Sequence, residues 1–188
     1  KPDIKNACVF ISGFGSNLKS LINKSRDYNF PAKIKLVICN NPNAKGIFHA
    51  KKNSITYLVI DTSKRNYQLK ILKKLKECKI SLICLAGYMK IIPEKLIIKF
   101  KKKIINIHPS LLPKYKGLNT FERIIENNEK KTGCTIHYVN KKLDSGQIIV
   151  QKKFFIEEND NIDVLKKKTQ ILEYKAFSEA IINIYRYN

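Results

Sequence analysis

The sequence predicts an α/β chain: a doubly wound, mostly parallel sheet that ends in an antiparallel strand portion and a long closing helix. Three observations carry that expectation. Apolar runs rich in Val, Ile and Cys recur at "ACVFIS" (7–12), "IKLVICN" (34–40), "TYLVID" (56–61), "ISLICLAG" (80–87) and "KIINIH" (103–108). They are too continuous for half-exposed strands and suit parallel strands covered on both faces. The stretches between them are long enough, and periodic enough, to supply crossover helices. Past residue 132 the alternation stops, and two strand-like runs, "TGCTIHYV" and "QIIVQKKFFI", follow each other across "NKKLDSG".

Taken in order, "LKSLINK" after the first strand has helical spacing, and "NYQLKILKKLKE" places Leu69, Leu72 and Leu75 on one stripe. "PEKLIIKF" opens with Pro93 at a first-turn position, where a missing N–H is harmless. "NIDVLKKKTQILEYKAFSEAIINIYRY" reads as the closing helix, packed back on the sheet. No Gly/Ser-rich linker, repeat or low-complexity block interrupts the chain, so residues 1–188 are expected to form a single domain.

Composition narrows the class. At 188 residues and 44% apolar content the chain can bury a substantial core. No run approaches the roughly 18 apolar residues of a membrane span, and the opening "KPDIKNACVFISG" has no signal-peptide organisation. A cytoplasmic location is expected. Cys8, Cys39, Cys78, Cys84 and Cys134 form no C-x-x-C pair and are read as reduced and mostly structural. The net charge of +22 raises the question of nucleic acid, but only Arg26, Arg65, Arg123 and Arg186 among 37 basic residues carry the guanidinium fork that phosphate and base edges favour. The lysines are spread along the whole chain. A solvated surface whose field attracts anionic small molecules is the better reading, with neither nucleic acid nor membrane as partner.

Chemistry concentrates in three places. In "SGFGSN" (12–17) Gly13 and Gly15 permit a tight turn and close backbone approach, while Ser16 and Asn17 stand where a helix begins and an anion is welcome. The loop is neither a Walker A sequence nor a full dinucleotide fingerprint, because Leu18 falls where the third Gly or Ala belongs; a plain strand-to-helix turn is the alternative. In "IINIH", strand alternation sends Asn106 and His108 to the same face, at the carboxyl end of a parallel strand, the edge at which open α/β sheets bind ligands. An amide donor beside an imidazole could stabilise an oxyanion; a core histidine with satisfied hydrogen bonds is the alternative. In "LDSGQI", Asp144 could reach His108 and hold its protonated form, or merely close an Asx-turn. His137 is read as a strand residue and His49 as a helix-surface residue, both outside the chemistry. The histidines are far apart in sequence and no Cys/His cluster has ligand spacing, so no metal is expected.

These segments together resemble the phosphoribosylglycinamide formyltransferases. The resemblance runs from "VFISGFGSNLKSLI" through "LICLAGYMKIIPEKLI" and "NIHPSLLPKYKGLNTFERIIENNEKKTGCTIHYVNKKLDSGQIIVQ" to "TQILEY", nearly the whole chain. It implies a Rossmann-like formyltransferase fold and formyl transfer from 10-formyltetrahydrofolate, as co-substrate, to the amine of glycinamide ribonucleotide in purine biosynthesis. Amine attack is direct, through a tetrahedral intermediate, with no metal. Asn106, His108 and Asp144 match the family's catalytic trio, and Gly15, Ser16 and Asn17 its substrate-phosphate loop. Met89, Lys90, Ile91 and Ile92 match the segment beside the folate pterin, together with Asn106, and Lys90 stands where many members have Arg. Gln170 and Glu173 match residues that position the glycinamide end, and Arg65 a basic residue near the phosphate. Asn119 and Phe121 replace histidines found in some members. The short length favours the stand-alone enzyme over formyltetrahydrofolate hydrolase or methionyl-tRNA formyltransferase, which carry an additional domain. A monomer or a homodimer is expected.

Overall fold

The computed structural model describes residues 4–186. The strand order is β3-β2-β1-β4-β5-β6-β7, and the chain divides into two compact units, one ending at Ile105 and the other beginning at Asn106, so that β5 (Lys103–His108) straddles the division.

The first unit is built on the parallel strands β1 (Lys5–Ile11), β2 (Ala32–Cys39), β3 (Thr56–Val59) and β4 (Leu82–Leu85), with α1 (Ser16–Lys24), α2 (Ile47–Lys52), α3 (Tyr67–Glu77) and α4 (Glu94–Phe100) between and after them. The continuous apolar runs do what their composition demands. Ala7 to Ile11 are wholly buried and β4 is buried throughout. At full burial each such side chain contributes about 1.5–3 kcal/mol relative to exposure, which is why these strands occupy the centre. β2 starts two residues before the expected run, because Lys33 and Lys35 alternate outward while Ala32 and Ile34 face in. A bulge beside Ala7 and Cys8 adjusts the register, so that Ala7 pairs with Ile34 and Cys8 with Leu36.

Three expectations need correction here. β3 is not a strand covered on both faces: Tyr57 is 40% exposed and Val59 38%, because β3 is the outermost strand in the order and only four residues long. On α3 the inward pair is Ile71 and Leu75, one helical turn apart, while Leu69 is 49% exposed. Pro93 sits one position before the first helical residue, at the cap of α4 with extended ψ of 136°, and its carbonyl accepts from the Leu96 N–H at 2.8 Å. One short helix, α5 (Thr120–Glu126), is not among the elements expected from the sequence, whereas α2 carries His49 as its reading as a helix residue requires.

In the second unit β6 (Lys131–Tyr138) pairs antiparallel with β7 (Ile148–Phe155), and α6 (Ile162–Arg186) packs on both. Leu165, Ala176, Phe177, Ala180 and Ile181, wholly buried, are the face it offers them. Small residues let two backbones close in. A methyl on Gly133 would lie 1.8 Å from the Lys152 carbonyl oxygen across the hairpin, and one on Gly146 would lie 1.6 Å from that of Tyr138. The connection after β6 therefore folds tightly onto its own strand. The architecture is the doubly wound, mostly parallel α/β class with an antiparallel carboxyl-terminal pair and a long closing helix.

Candidate active site

β5 delivers Asn106 half-buried and His108 5% exposed, two residues apart and on one face. The connection between β6 and β7 delivers Asp144, 8% exposed, in a left-handed conformation with φ of 45° that Asp tolerates better than most residues. All three come together within the second unit. Asp144 Oδ2 lies 3.3 Å from His108 Nδ1 and accepts the Gly117 N–H at 2.9 Å. His108 Nε2 donates to the Tyr115 carbonyl at 2.7 Å. That bond assigns the Nε2 proton, so Nδ1 faces the carboxylate and is the position at which a second proton is gained or lost.

A fourth residue joins them. His137 is 2% exposed on β6; its Nδ1 donates to the Tyr138 carbonyl at 2.9 Å, which leaves Nε2 to accept from Asn106 Nδ2 at 3.3 Å. The same Nε2 lies 3.7 Å from Asp144 Oδ1. His137 is a strand residue, as expected, and the structure places it against both the Asn106 amide and the carboxylate. The available signal is period two. Thr135 and His137 share one face of a buried strand, and polar residues in such a place need partners.

Burial pushes the His108 imidazole below its ordinary value, and the Tyr115 carbonyl and Asp144 carboxylate recover only part of that. Asp144 thus favours the protonated ring, as expected, while burial works against it and the balance lies below the ordinary histidine value. Burial works to raise Asp144, yet the Gly117 N–H that it accepts and the neighbouring His108 ring help hold it below the usual carboxylate range. The pair is an ionised carboxylate against a neutral imidazole that gains a proton when negative charge appears nearby.

The remaining residues of this unit lie on α6. Gln170 is exposed and Glu173 half-buried, one turn apart on one face. The Glu173 carboxylate adds to burial in pushing the Cys134 thiol up to about 12, which keeps that cysteine inert.

The first unit holds the other two groups. Gly15 caps α1 with φ of 72°, and a methyl there would meet the Gly46 Cα at 2.8 Å, so both the turn and the close approach require glycine. The Gly46 N–H braces the loop by donating to the Gly13 carbonyl at 2.9 Å. Ser16 is half-buried, and Asn17, only 6% exposed, is turned inward rather than toward solvent. In the segment after β4, Met89 and Ile91 are 72% and 79% exposed, Lys90 is exposed, and Ile92 is buried as an anchor. Arg65 is exposed on the turn ahead of α3. His49 lies half-buried on α2, consistent with its reading as a helix residue. Among the described residues no group of three His, Cys, Asp or Glu side chains could hold a metal, and no helix is long and apolar enough to cross a membrane.

Comparison with known proteins agrees in sequence and in structure. Residues 5–181 match the formyl transferase family. The phosphoribosylglycinamide formyltransferase of Haemophilus influenzae is 40% identical over 178 residues, covering 93% of this chain and 84% of that protein. The trifunctional purine biosynthetic protein adenosine-3 of Drosophila melanogaster is 38% identical over 183 residues, 94% of this chain but only 14% of that protein, so the chain spans a small part of this multifunctional relative. Among solved structures, the phosphoribosylglycinamide formyltransferase from Anaplasma phagocytophilum superimposes with a TM-score of 0.91 at 36% identity, over 98% of this chain and 88% of that one.

Proposed function

The chain belongs to the formyl transferase family, and on that premise we propose that it transfers the formyl group of 10-formyltetrahydrofolate to the amine of glycinamide ribonucleotide, giving formylglycinamide ribonucleotide and tetrahydrofolate in purine biosynthesis. The observation that carries this reading is the buried His108–Asp144 contact of 3.3 Å with the Asn106 amide held beside it by His137. The similarity to named phosphoribosylglycinamide formyltransferases supports the choice of acceptor.

The chemistry asks for little more. The amine attacks the formyl carbon and forms a carbon–nitrogen bond, the carbonyl oxygen becomes an oxyanion, and the attacking nitrogen becomes positive. One N–H of Asn106 is committed to His137; the second donates to the oxyanion. His108, neutral at rest, takes up at Nδ1 the proton that the attacking nitrogen loses and passes it on, and the Asp144 carboxylate stabilises the imidazolium in between. The proton lost by the attacking nitrogen is delivered to the folate nitrogen as the bond from the formyl carbon to that nitrogen breaks. Atoms and charge then balance without a covalent enzyme intermediate.

The other residues bind. Gly15, Ser16 and Asn17 seat the substrate phosphate through the loop backbone at the start of α1, with Arg65 as a further cation. Met89, Lys90 and Ile91, all largely exposed, face the folate pterin, and Ile92 fixes the segment. Gln170 and Glu173 hold the glycinamide end.

Formyl transfer to glycinamide ribonucleotide, transfer to methionyl-tRNA and hydrolysis of 10-formyltetrahydrofolate, measured side by side, test the reading. Glycinamide ribonucleotide is expected to be the preferred acceptor, and the proposal fails if tRNA or water outruns it. His108→Ala should lower the rate on the order of 100- to 1000-fold; near-normal transfer by that variant would overturn the catalytic assignment.

A further inference from the structure

We propose that Ser12 is a positioning residue for the folate co-substrate: it clamps the turn that presents residues 89–92, a role that rests on the reading of that segment as pterin-facing. Ser12 follows the last residue of β1 and is 9% exposed. Every one of its polar groups is engaged. Its N–H donates to the Gly87 carbonyl at 3.2 Å, and its carbonyl accepts from Asn41 Nδ2 at 3.3 Å. Its hydroxyl donates to Asn40 Oδ1 at 2.5 Å and accepts from the Met89 N–H at 2.8 Å.

The geometry fixes the hydroxyl's direction. A serine hydroxyl has one proton and two lone pairs. With the proton given to Asn40, a lone pair meets the Met89 N–H. Ser12 thereby holds both ends of the Gly87–Met89 turn, the first through its backbone and the second through its side chain. The turn needs such a clamp. Gly87 has φ of 73° with open space where a side chain would stand, and Met89 and Ile91 beyond it are largely exposed, so little packing restrains this backbone. Asn40 and Asn41 follow β2, Ser12 follows β1, and Gly87 lies just past β4; the network thus ties three strand ends at the carboxyl edge of the parallel strands, where ligands are held. Binding by exposed backbone groups requires that they point one way before the ligand arrives, and Ser12 supplies that order.

The test varies each substrate separately for wild type, Ser12→Ala and Ser12→Thr, and follows amide hydrogen exchange over residues 86–92. Ser12→Ala is expected to raise the KM for 10-formyltetrahydrofolate about five- to tenfold, the loss of one buried hydrogen-bond partner, with the KM for glycinamide ribonucleotide changed less than about twofold. Exchange at Met89 should accelerate, and Ser12→Thr, which keeps the hydroxyl, should restore both readouts. Equal rises in both KM values would mark general loosening and overturn the proposal, as would unchanged exchange at Met89 in Ser12→Ala. Faster exchange with an unchanged folate KM would mean that the clamp exists but the segment does not face the pterin, which refutes the reading of residues 89–92 separately. Should Ser12→Ala fail to fold, Asn40→Ala, which removes only the hydroxyl's acceptor, carries the same comparison with the same signs.

Discussion

Replacing Asp144 by Asn removes the charge that faces His108 while preserving side-chain size and an acceptor for the Gly117 N–H. The cost follows from the distance. At an effective dielectric of about 20, opposite unit charges 3.3 Å apart attract by roughly 5 kcal/mol. That attraction exists only while His108 is protonated, so it falls on the intermediate and not on the resting enzyme, and only such differential stabilisation accelerates the reaction. Part of it returns, because water relaxes into the site and solvates the imidazolium. A loss of about 3–4 kcal/mol is left, or some 100- to 1000-fold in kcat. The assay is steady-state formyl transfer, with KM determined for both substrates, and NMR titration of the His108 ring. Asp144→Asn should depress kcat by that factor, leave both KM values within about threefold, and move the His108 titration to lower pH, since a stabilising anion is gone. A folded variant that keeps more than about a fifth of the wild-type kcat, or an unmoved His108 titration, would refute the argument that this carboxylate acts through the imidazolium.

Gly146→Ala should be severe although Gly146 touches no substrate: its methyl would lie 1.6 Å from the Tyr138 carbonyl oxygen, so the Asp144 turn must move. The expected result is a fall in thermal stability of about 2–4 kcal/mol together with a kcat near that of Asp144→Asn, read from melting curves and the same transfer assay. Stability should also decline in weak acid. His108 and His49 are both held below the ordinary histidine value of 6.5 by burial, so the unfolded chain binds protons first as pH falls, and their contribution, fully present above that value, is lost as pH drops toward the folded values. Urea midpoints at about pH 7.5 and 5.5 should show the drop, and His108→Gln should flatten it.

The legible parts of this fold are those where one local rule decides. Ala7 to Ile11 and Leu82 to Leu85 announce central strands because an unbroken apolar run has no other way to escape water, and period two by itself puts Asn106 and His108 on one face. The misreadings come where a second element decides. The alternation of "TYLVID" could not show that β3 is outermost, a fact of strand order, and the choice between Leu69 and Ile71 on α3 depends on which side its neighbours occupy. The short helix α5 is stabilised by tertiary packing more than by its own few residues.

The site divides along the same line. Asn106, His108 and Asp144 can be proposed from sequence because their chemistry names them, whereas the protonation state of His108 cannot, since it is a contest between desolvation and a carboxylate whose outcome depends on burial. Ser12 and His137 escape a reading by motif for a related reason. Neither carries a motif of its own; each matters through an atom that it orients, the Met89 N–H in one case and the Asn106 amide in the other. A residue that acts through another's geometry leaves only a weak trace in sequence, namely a polar side chain at a position whose burial requires a partner. His137 satisfies that description within β6, and Ser12 within the step out of β1, so a search for buried polar residues beside recognised chemical groups finds both.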